Sequence, residues 1–379
     1  MTKRDLMSNF DSIVTDPRLR LDELEKHLSD LTSDAYFLDR YHVVSSSGSS
    51  GRRGVFVYDW DAWTLCYLSL RRYSFLKIAE AQQPSHKPII MAKIGSARAL
   101  HVSSAIAQTF SNPSLKIHSF PMTWPMEQIV EGLNELQPEL LEGYSSAIFH
   151  LAKTALAGDL KISPRWVSSI SEPLLPEIRE AAEQAWKVSV LNVWGTSEGG
   201  GCGASCGLGP WMHLSDDLVI VEPVDANGRP TRPGVRAAKV YLTNLYNRTL
   251  PLIRYELTDE VTLIDGRCPC GSYHRRIEDV QGRLDDNFSY LNGPIVHPVV
   301  FELAFASERN VVQYQVTQTT RGAAIAVVGI GEIDEERLRK RIASSLEDLG
   351  LRDPEIRIAR VDQLERLRSG KLKRYFPLV

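Results

Sequence analysis

Between residues 60 and 203 the chain alternates short β-rich apolar runs with helical ones, and this alternation most restricts what it can fold into. Residues 88–94, 115–120, 140–144 and 166–170 read as strands, and 126–136, 145–157 and 174–185 as helices. Strand-helix alternation of this kind implies a parallel, doubly wound sheet with right-handed crossovers. The next apolar run, 188–194, ends abruptly in Gly195-Thr196-Ser197-Glu198-Gly199-Gly200-Gly201. Such a run is expected to be a buried strand opening into a loop at the sheet rim, where open α/β sheets bind ligands. The single acid Glu198, among backbone that nothing bulky shields, suits a metal ion held beside a nucleotide.

A second stretch carries chemistry by composition. After the short strand at 41–44, residues 45–54 consist only of Ser, Gly and Arg, and Val55-Phe56-Val57-Tyr58 follows. Backbone N–H groups, hydroxyls and the fixed charges of Arg52 and Arg53, with little side-chain bulk, match a polyphosphate. A linker would not sit between two apolar β runs. The spacing is not that of the Gly-x-x-x-x-Gly-Lys-Ser/Thr loop.

Composition limits the remainder. A chain of 379 residues with 43% hydrophobic and 24% charged side chains buries a full core and is expected to form two domains. A formal charge of -3, with charges interspersed, gives no field for nucleic acid. No apolar run approaches the ~20 residues of a membrane span, and the N-terminus does not read as a signal peptide, so a cytoplasmic location is expected. Residues 1–40, with Leu19, Leu21, Leu24, Leu28 and Leu31 at helical spacing, read as a peripheral helix.

The segments Ser46-Ser47-Gly48-Ser49-Ser50-Gly51 and Trp194-Gly195-Thr196-Ser197-Glu198 resemble two motifs of the adenylate-forming superfamily, namely its Ser/Thr/Gly-rich ATP loop and its aromatic-Gly-x-Ser/Thr-Glu motif. The likeness is to the branch of phenylacetate-CoA ligase and coenzyme F390 synthetase, and its most specific stretch is 243–259. It implies a large N-terminal domain of doubly wound, mainly parallel sheets over 1–282, N-terminally shortened, and a small mobile α+β domain over 283–379. It also implies ATP-dependent adenylation of a carboxylic acid, aromatic in this branch, followed by transfer to CoA; an amine, a carrier-protein thiol or AMP transfer of the F390 kind are the other outcomes. A non-catalytic nucleotide-binding scaffold is the bland alternative.

Residue by residue, the resemblance places Ser46 to Gly51 and Arg52 on the β- and γ-phosphates. Glu198 is placed on Mg²⁺ and Ser171, Glu172 and Pro173 against adenine. Trp194, Gly195 and Thr196 lie at the nucleotide, with Trp194 where a tyrosine usually stacks on the base. Asp259 takes the ribose hydroxyls, Arg283 clamps the nucleotide, and Asp285 is the hinge. Lys371, with Lys373 as fallback, is the adenylation lysine; a lysine on a mobile domain can offset charge that builds as carboxylate and α-phosphate join. Tyr144, Trp194 and Gly195 wall the acyl pocket. Residues 288–293 lack the basic residue that precedes this glycine in the family, where it lies on the path of the CoA arm.

Five cysteines, an odd number in a long chain, argue against a disulfide framework. Cys268-Pro269-Cys270-Gly271 with His213 and one of Cys202 and Cys206 completes a closed tetrahedral zinc set. The resemblance favours Cys206 and His213, with His274 the alternative histidine. Cys66 reads as a buried small hydrophobe. Partners are expected to be small molecules, with the chain a monomer or homodimer.

Overall fold

A computed structural model of the chain describes residues 1–31, 33–46, 54–81, 87–96, 101–110, 113–278, 280, 287–291, 293–305, 308, 310–365 and 374–378. Its centre is a nine-stranded sheet. Five parallel strands form one half, in the spatial order Leu115–Pro121, Ile89–Gly95, Leu140–Tyr144, Trp166–Ile170 and Val190–Thr196. The helices Met126–Leu136, Ser145–Ala157 and Pro176–Trp186 connect them. The expected α/β doubly wound architecture is therefore present in this half, with element ends within a few residues of the sequence reading.

The other half is antiparallel, and here the structure corrects the sequence. The glycines after Thr196 do not open into a loop: the chain turns over 197–199 and returns as the strand Gly200–Ser205, antiparallel to Val190–Thr196. Trp211–Leu214, Arg276–Glu278 and Leu263–Ile264 extend the sheet outward. The reason lies in packing. A Cβ on Gly201 would come within 2.6 Å of the Ser69 backbone in the helix Trp60–Ala81, and the Gly201 N–H donates to Ser69 Oγ at 2.9 Å. These glycines admit a helix to van der Waals contact with a strand rather than supplying flexibility.

The peripheral-helix expectation for 1–40 is also corrected. Three short helices, Lys3–Ser8, Phe10–Ile13 and Leu21–Asp30, fold in this stretch. Leu6, Phe10, Leu19, Leu24 and Leu28 are fully buried against Val55, Phe56, Trp63 and Tyr255. The leucine spacing marked the buried stripe of a helix, which is the face a surface reading overlooks.

A hairpin of His42–Ser45 and Val55–Tyr58 stands beside this core, and a three-stranded antiparallel sheet of Val219–Val224, Lys239–Asn244 and Tyr255–Leu257 closes it. The last strand of that sheet begins only at Tyr255, because Arg254 adopts a left-handed φ of 48° that interrupts extension. After residue 287 the chain builds a four-stranded sheet ordered Glu355–Arg360, Gly322–Gly329, Val311–Thr319 and Tyr375–Phe376, flanked by the helices Val299–Phe305 and Glu335–Asp348. The division placed at 282/283 falls in 281–286, outside the described residues. No helix among the described residues is long and apolar enough to cross a membrane.

Candidate functional site

The turn that carries Glu198 is stapled from three directions. Tyr58 donates its hydroxyl to the Ser197 carbonyl at 2.6 Å, Asn244 donates its side-chain amide to the Glu198 carbonyl at 3.1 Å, and the Tyr246 hydroxyl donates to the Gly199 carbonyl at 3.1 Å. The 243–259 stretch thus wraps the turn, fixing the backbone so that the Glu198 side chain has little freedom. That side chain is only 5% exposed, and its carboxylate accepts from the Tyr255 hydroxyl at 3.4 Å. Burial pushes its carboxyl above the usual carboxylate range, with the Lys3 ammonium pulling the other way.

Asp259 shares this environment. Its carboxylate accepts from the Trp194 indole N–H at 3.1 Å, burial raises it as well, and its negative charge adds to the upward shift of Glu198. Two carboxylates made costly by burial form a site that favours cations and hydroxyl donors. The structure therefore brings Glu198, Asp259 and Trp194 together. The Trp194 ring is buried, with its N–H committed to Asp259.

Ser46 stands at the base of the Ser/Gly/Arg loop. Its N–H donates to the Gly54 carbonyl at 3.0 Å and its hydroxyl accepts from the Gly54 N–H at 3.1 Å, pinching the two ends together next to the hairpin register pair Ser45 and Val55. Ser197 Oγ donates to the Ser45 carbonyl at 3.3 Å, so the pinch lies against the Glu198 turn. Ser47, Gly48, Ser49, Ser50, Gly51, Arg52 and Arg53 lie outside the described residues, as do Arg283, Asp285, Lys371 and Lys373.

The other predicted residues line the carboxyl rim of the parallel strands. Gly195 follows a bulge in its strand, and Thr196 Oγ1 accepts from the Gly199 N–H at 2.9 Å. Ser171 sits just past its strand at a left-handed φ of 66°, a strained position for a residue with a Cβ. Glu172 accepts from the Ser146 N–H at 2.8 Å and pairs with His297 of the C-terminal segment, whose ring also faces Tyr144 at 5.1 Å. Pro173 follows on the same rim. The Tyr144 hydroxyl accepts from the Ser96 N–H at 3.3 Å.

A second polar cluster occupies the antiparallel half. The donor atoms of Cys206, His213, Cys268 and Cys270 all lie within 4.8 Å of one another. Cys206 and Cys268 approach to 3.7 Å between sulfurs, and Cys270 Sγ lies 3.4 Å from His213 Nε2. His213 Nδ1 faces the His274 carbonyl at 3.4 Å, which fixes the tautomer that leaves Nε2 to the cluster. Trp211 donates its indole N–H to Cys268 Sγ at 3.3 Å. This donor set fits a tetrahedral divalent ion such as zinc. Cys202 is buried elsewhere, against Thr196, and the His274 ring faces Arg72, so neither joins the set. Cys66 is fully buried in its helix.

Sequence reasoning missed four participants: Lys3, Tyr255, His297 and Arg374. Lys3 donates to Ser46 Oγ at 3.0 Å, and Arg374, buried over the Tyr314 ring, is close enough for Lys3 to sense its charge. Tyr255 lay inside the 243–259 stretch, but no periodicity marks a site tyrosine. Lys3 and His297 are polar residues in segments with no motif around them, and Arg374 directly follows the basic tail of Lys371 and Lys373, where those lysines drew the functional reading.

The chain has relatives among known proteins. No family model matches the chain. Protein CapK of Staphylococcus aureus is 22% identical over 357 residues, 91% of this chain and 72% of that protein. The phenylacetate-coenzyme A ligase of Thermus thermophilus is 28% identical over 177 residues, 46% of this chain and 38% of that enzyme. Among solved structures, 2-hydroxyisobutyryl-CoA ligase in complex with 2-HIB-AMP and CoA in the thioesterification state superposes with a TM-score of 0.55 at 17% identity, over 89% of this chain and 74% of that one. Its open conformation covers 97% of this chain with a TM-score of 0.53. The chain is thus similar in sequence to CapK and to a phenylacetate-coenzyme A ligase, and it shares the fold of 2-hydroxyisobutyryl-CoA ligase.

Proposed function

We propose that the protein is an AMP-forming acid-thiol ligase, which joins a carboxylic acid to AMP at the expense of ATP and passes the acyl group to CoA. The observation that carries this reading is the convergence of Glu198, Asp259 and the pinched base of the Ser/Gly/Arg loop at one end of the sheet, from three distant parts of the chain. The named activities of the phenylacetate-CoA and 2-hydroxyisobutyryl-CoA ligases support it.

In the first half-reaction a carboxylate oxygen bonds to the α-phosphorus while the bond to the bridging oxygen of pyrophosphate breaks, giving an acyl-AMP anhydride and free pyrophosphate. In the second, a thiolate attacks the acyl carbon and AMP leaves. Glu198 would hold Mg²⁺, whose charge offsets that of the phosphates; its buried acid, held by one phenol and a nearby ammonium, fits a cation. Asp259 offers two oxygens to the ribose hydroxyls. The loop 46–52 would grip the β- and γ-phosphates, with Ser46 and Gly54 closing its base. Arg283 clamps the nucleotide and Lys371 bridges carboxylate and α-phosphate on a C-terminal domain, 283–379, that swings about Asp285.

Ser171, Glu172, Pro173, Trp194, Gly195 and Thr196 would border the adenine and acyl side, with Tyr144 on the pocket wall. An aromatic acid is our choice of substrate, since Tyr144 and Trp194 place two aromatic rings at that rim, against which a flat acyl group could pack. The Cys206, His213, Cys268 and Cys270 cluster would hold one structural zinc. A screen of carboxylic acids by pyrophosphate release tests the reading: an aromatic acid giving acid-dependent release supports it, and no release with any acid contradicts it. Adding CoA, amines and carrier proteins to the active pair identifies the acceptor by its product.

A further inference from the structure

The amino-terminal segment brings Lys3 to Ser46. Met1 is fixed beside the strand Tyr255–Leu257, its ammonium donating to the Arg254 carbonyl at 3.1 Å and its carbonyl accepting from the Glu256 N–H at 2.9 Å. Thr2 then caps the helix Lys3–Ser8 through a reciprocal box with Asp5. Leu6 and Met7 are buried behind it, and the Val55 N–H donates to Met7 Sδ at 3.4 Å. Lys3 thus projects from a backbone held at both ends, and its Nζ reaches Ser46 Oγ.

The environment of that ammonium is incomplete for a structural lysine. It has three N–H donors, and among the described residues its hydrogen bond goes to Ser46 Oγ alone. No carboxylate among the described residues comes within ion-pair distance, although Glu198 and Asp259 are near enough to act on its charge. Arg374 adds a second positive charge on the same side. Burial draws the Lys3 ammonium below the usual lysine value. Lys3 and Arg374 come together from distant parts of the chain, and the Lys3 ammonium, bonded to Ser46 at the base of a loop whose composition suits polyphosphate, has donors left to offer a phosphate.

We propose that Lys3 Nζ is a phosphate-binding group of the site, contacting the terminal phosphates of ATP and the pyrophosphate they become. This rests on the ligase reading above and assigns to it a residue that lies outside both of its sequence motifs. Because Lys3 hangs on Ser46 rather than on Asp259, it grips the polyphosphate end and leaves the nucleoside end alone.

The test is calorimetric titration of Lys3→Gln and Lys3→Arg with Mg-ATP, pyrophosphate and AMP. A charge-assisted hydrogen bond to phosphate is worth roughly 10- to 100-fold in affinity. Lys3→Gln should weaken ATP and pyrophosphate by that factor and leave AMP within about two-fold, while Lys3→Arg keeps most of the ATP affinity. The ATP-to-AMP ratio within one sample is unaffected by any unfolded fraction. Arg4→Gln, at the exposed neighbouring position, serves as the control with unchanged ratio. An unchanged ratio in Lys3→Gln, or equal weakening of ATP and AMP, overturns the assignment while the ligase reading stands. A natural chain that binds no ATP overturns both.

Discussion

The two polar clusters of this molecule sit at opposite ends of one strand and are built on opposite principles. Gly200–Ser205 begins just after Glu198 and ends just before Cys206. At the Cys206 end, four donor atoms face one another within 4.8 Å, three of them on buried residues, a closed arrangement that can hold an ion and leaves no position for a substrate. At the Glu198 end, two carboxylates lie beside each other with a phenol, an indole and a lysine around them, none making a tight ion pair. One cluster satisfies itself; the other is completed only from outside. Stability is concentrated where the donors close, and binding capacity where charge is left over.

Breaking the closed cluster should have the largest effect. Cys268→Ser removes one donor, and we expect the zinc content measured by mass spectrometry to fall from one ion per chain to near none. The melting temperature should drop by roughly 10 °C, since structural zinc contributes several kcal/mol to folding. Removal of the ion with a chelator should reproduce the shift in the natural chain and produce none in the variant.

The open cluster should respond in the opposite sense. Glu198→Gln is expected to lower acid-dependent pyrophosphate exchange by about 100-fold or more, the scale of losing a preorganised electrostatic contact. The same substitution should raise the melting temperature of the ligand-free chain. The sign follows from burial: a carboxyl whose folded pKa is raised takes up a proton more readily when folded, so its ionised form at neutral pH opposes folding, and an uncharged amide relieves that. A fall in both activity and stability would make the two ends alike and remove the contrast.

The strand between them can be tested by size. Gly201→Ala sets a Cβ against the Ser69 and Leu70 backbone, which no rotamer change relieves, and should cost about 1–3 kcal/mol in denaturant unfolding. The smallest effect is expected where the C-terminal segment meets the rim. Burial alone would raise Glu172, but His297 and Ser146 outweigh it and hold the carboxyl below its ordinary 4.5. A depressed carboxyl stabilises above its unfolded value and loses that contribution as pH falls through the lower folded one. The contact should therefore loosen only below about pH 4.5. Glu172→Gln should loosen it at neutral pH by about 1 kcal/mol, read as faster amide exchange around His297.

Much of this architecture is legible in the sequence, and the unread parts have physical causes. The parallel strands and their helices follow from apolar periodicity, because a strand covered on both faces has to be apolar throughout. Cys268, Cys270, His213 and one of Cys202 and Cys206 could be grouped because thiolate and imidazole spacing has few other uses, while the choice of Cys206 came from the family resemblance and is what the structure shows. Glycine gave the wrong message at 199–201, since the same residue serves a flexible turn and a close helix-strand contact; only the position of Ser69, far away in sequence, decides between them. Lys3 was invisible for a similar reason. An ammonium near the chain start belongs to a site only through the tie of Met1 to Arg254 and Glu256, a long-range pairing that no local pattern encodes. The same holds for His297, which reaches Glu172 across the molecule.

The central claim is that Glu198, Asp259 and the pinched loop act on a single ATP. Exchange of labelled pyrophosphate into ATP, run with and without an active carboxylic acid in the natural chain and in Asp259→Asn, tests it most directly. The account predicts exchange that requires the acid and that falls about 10-fold or more in the variant, through a raised KM for ATP. Exchange that proceeds without any acid, or that Asp259→Asn leaves untouched, would contradict it.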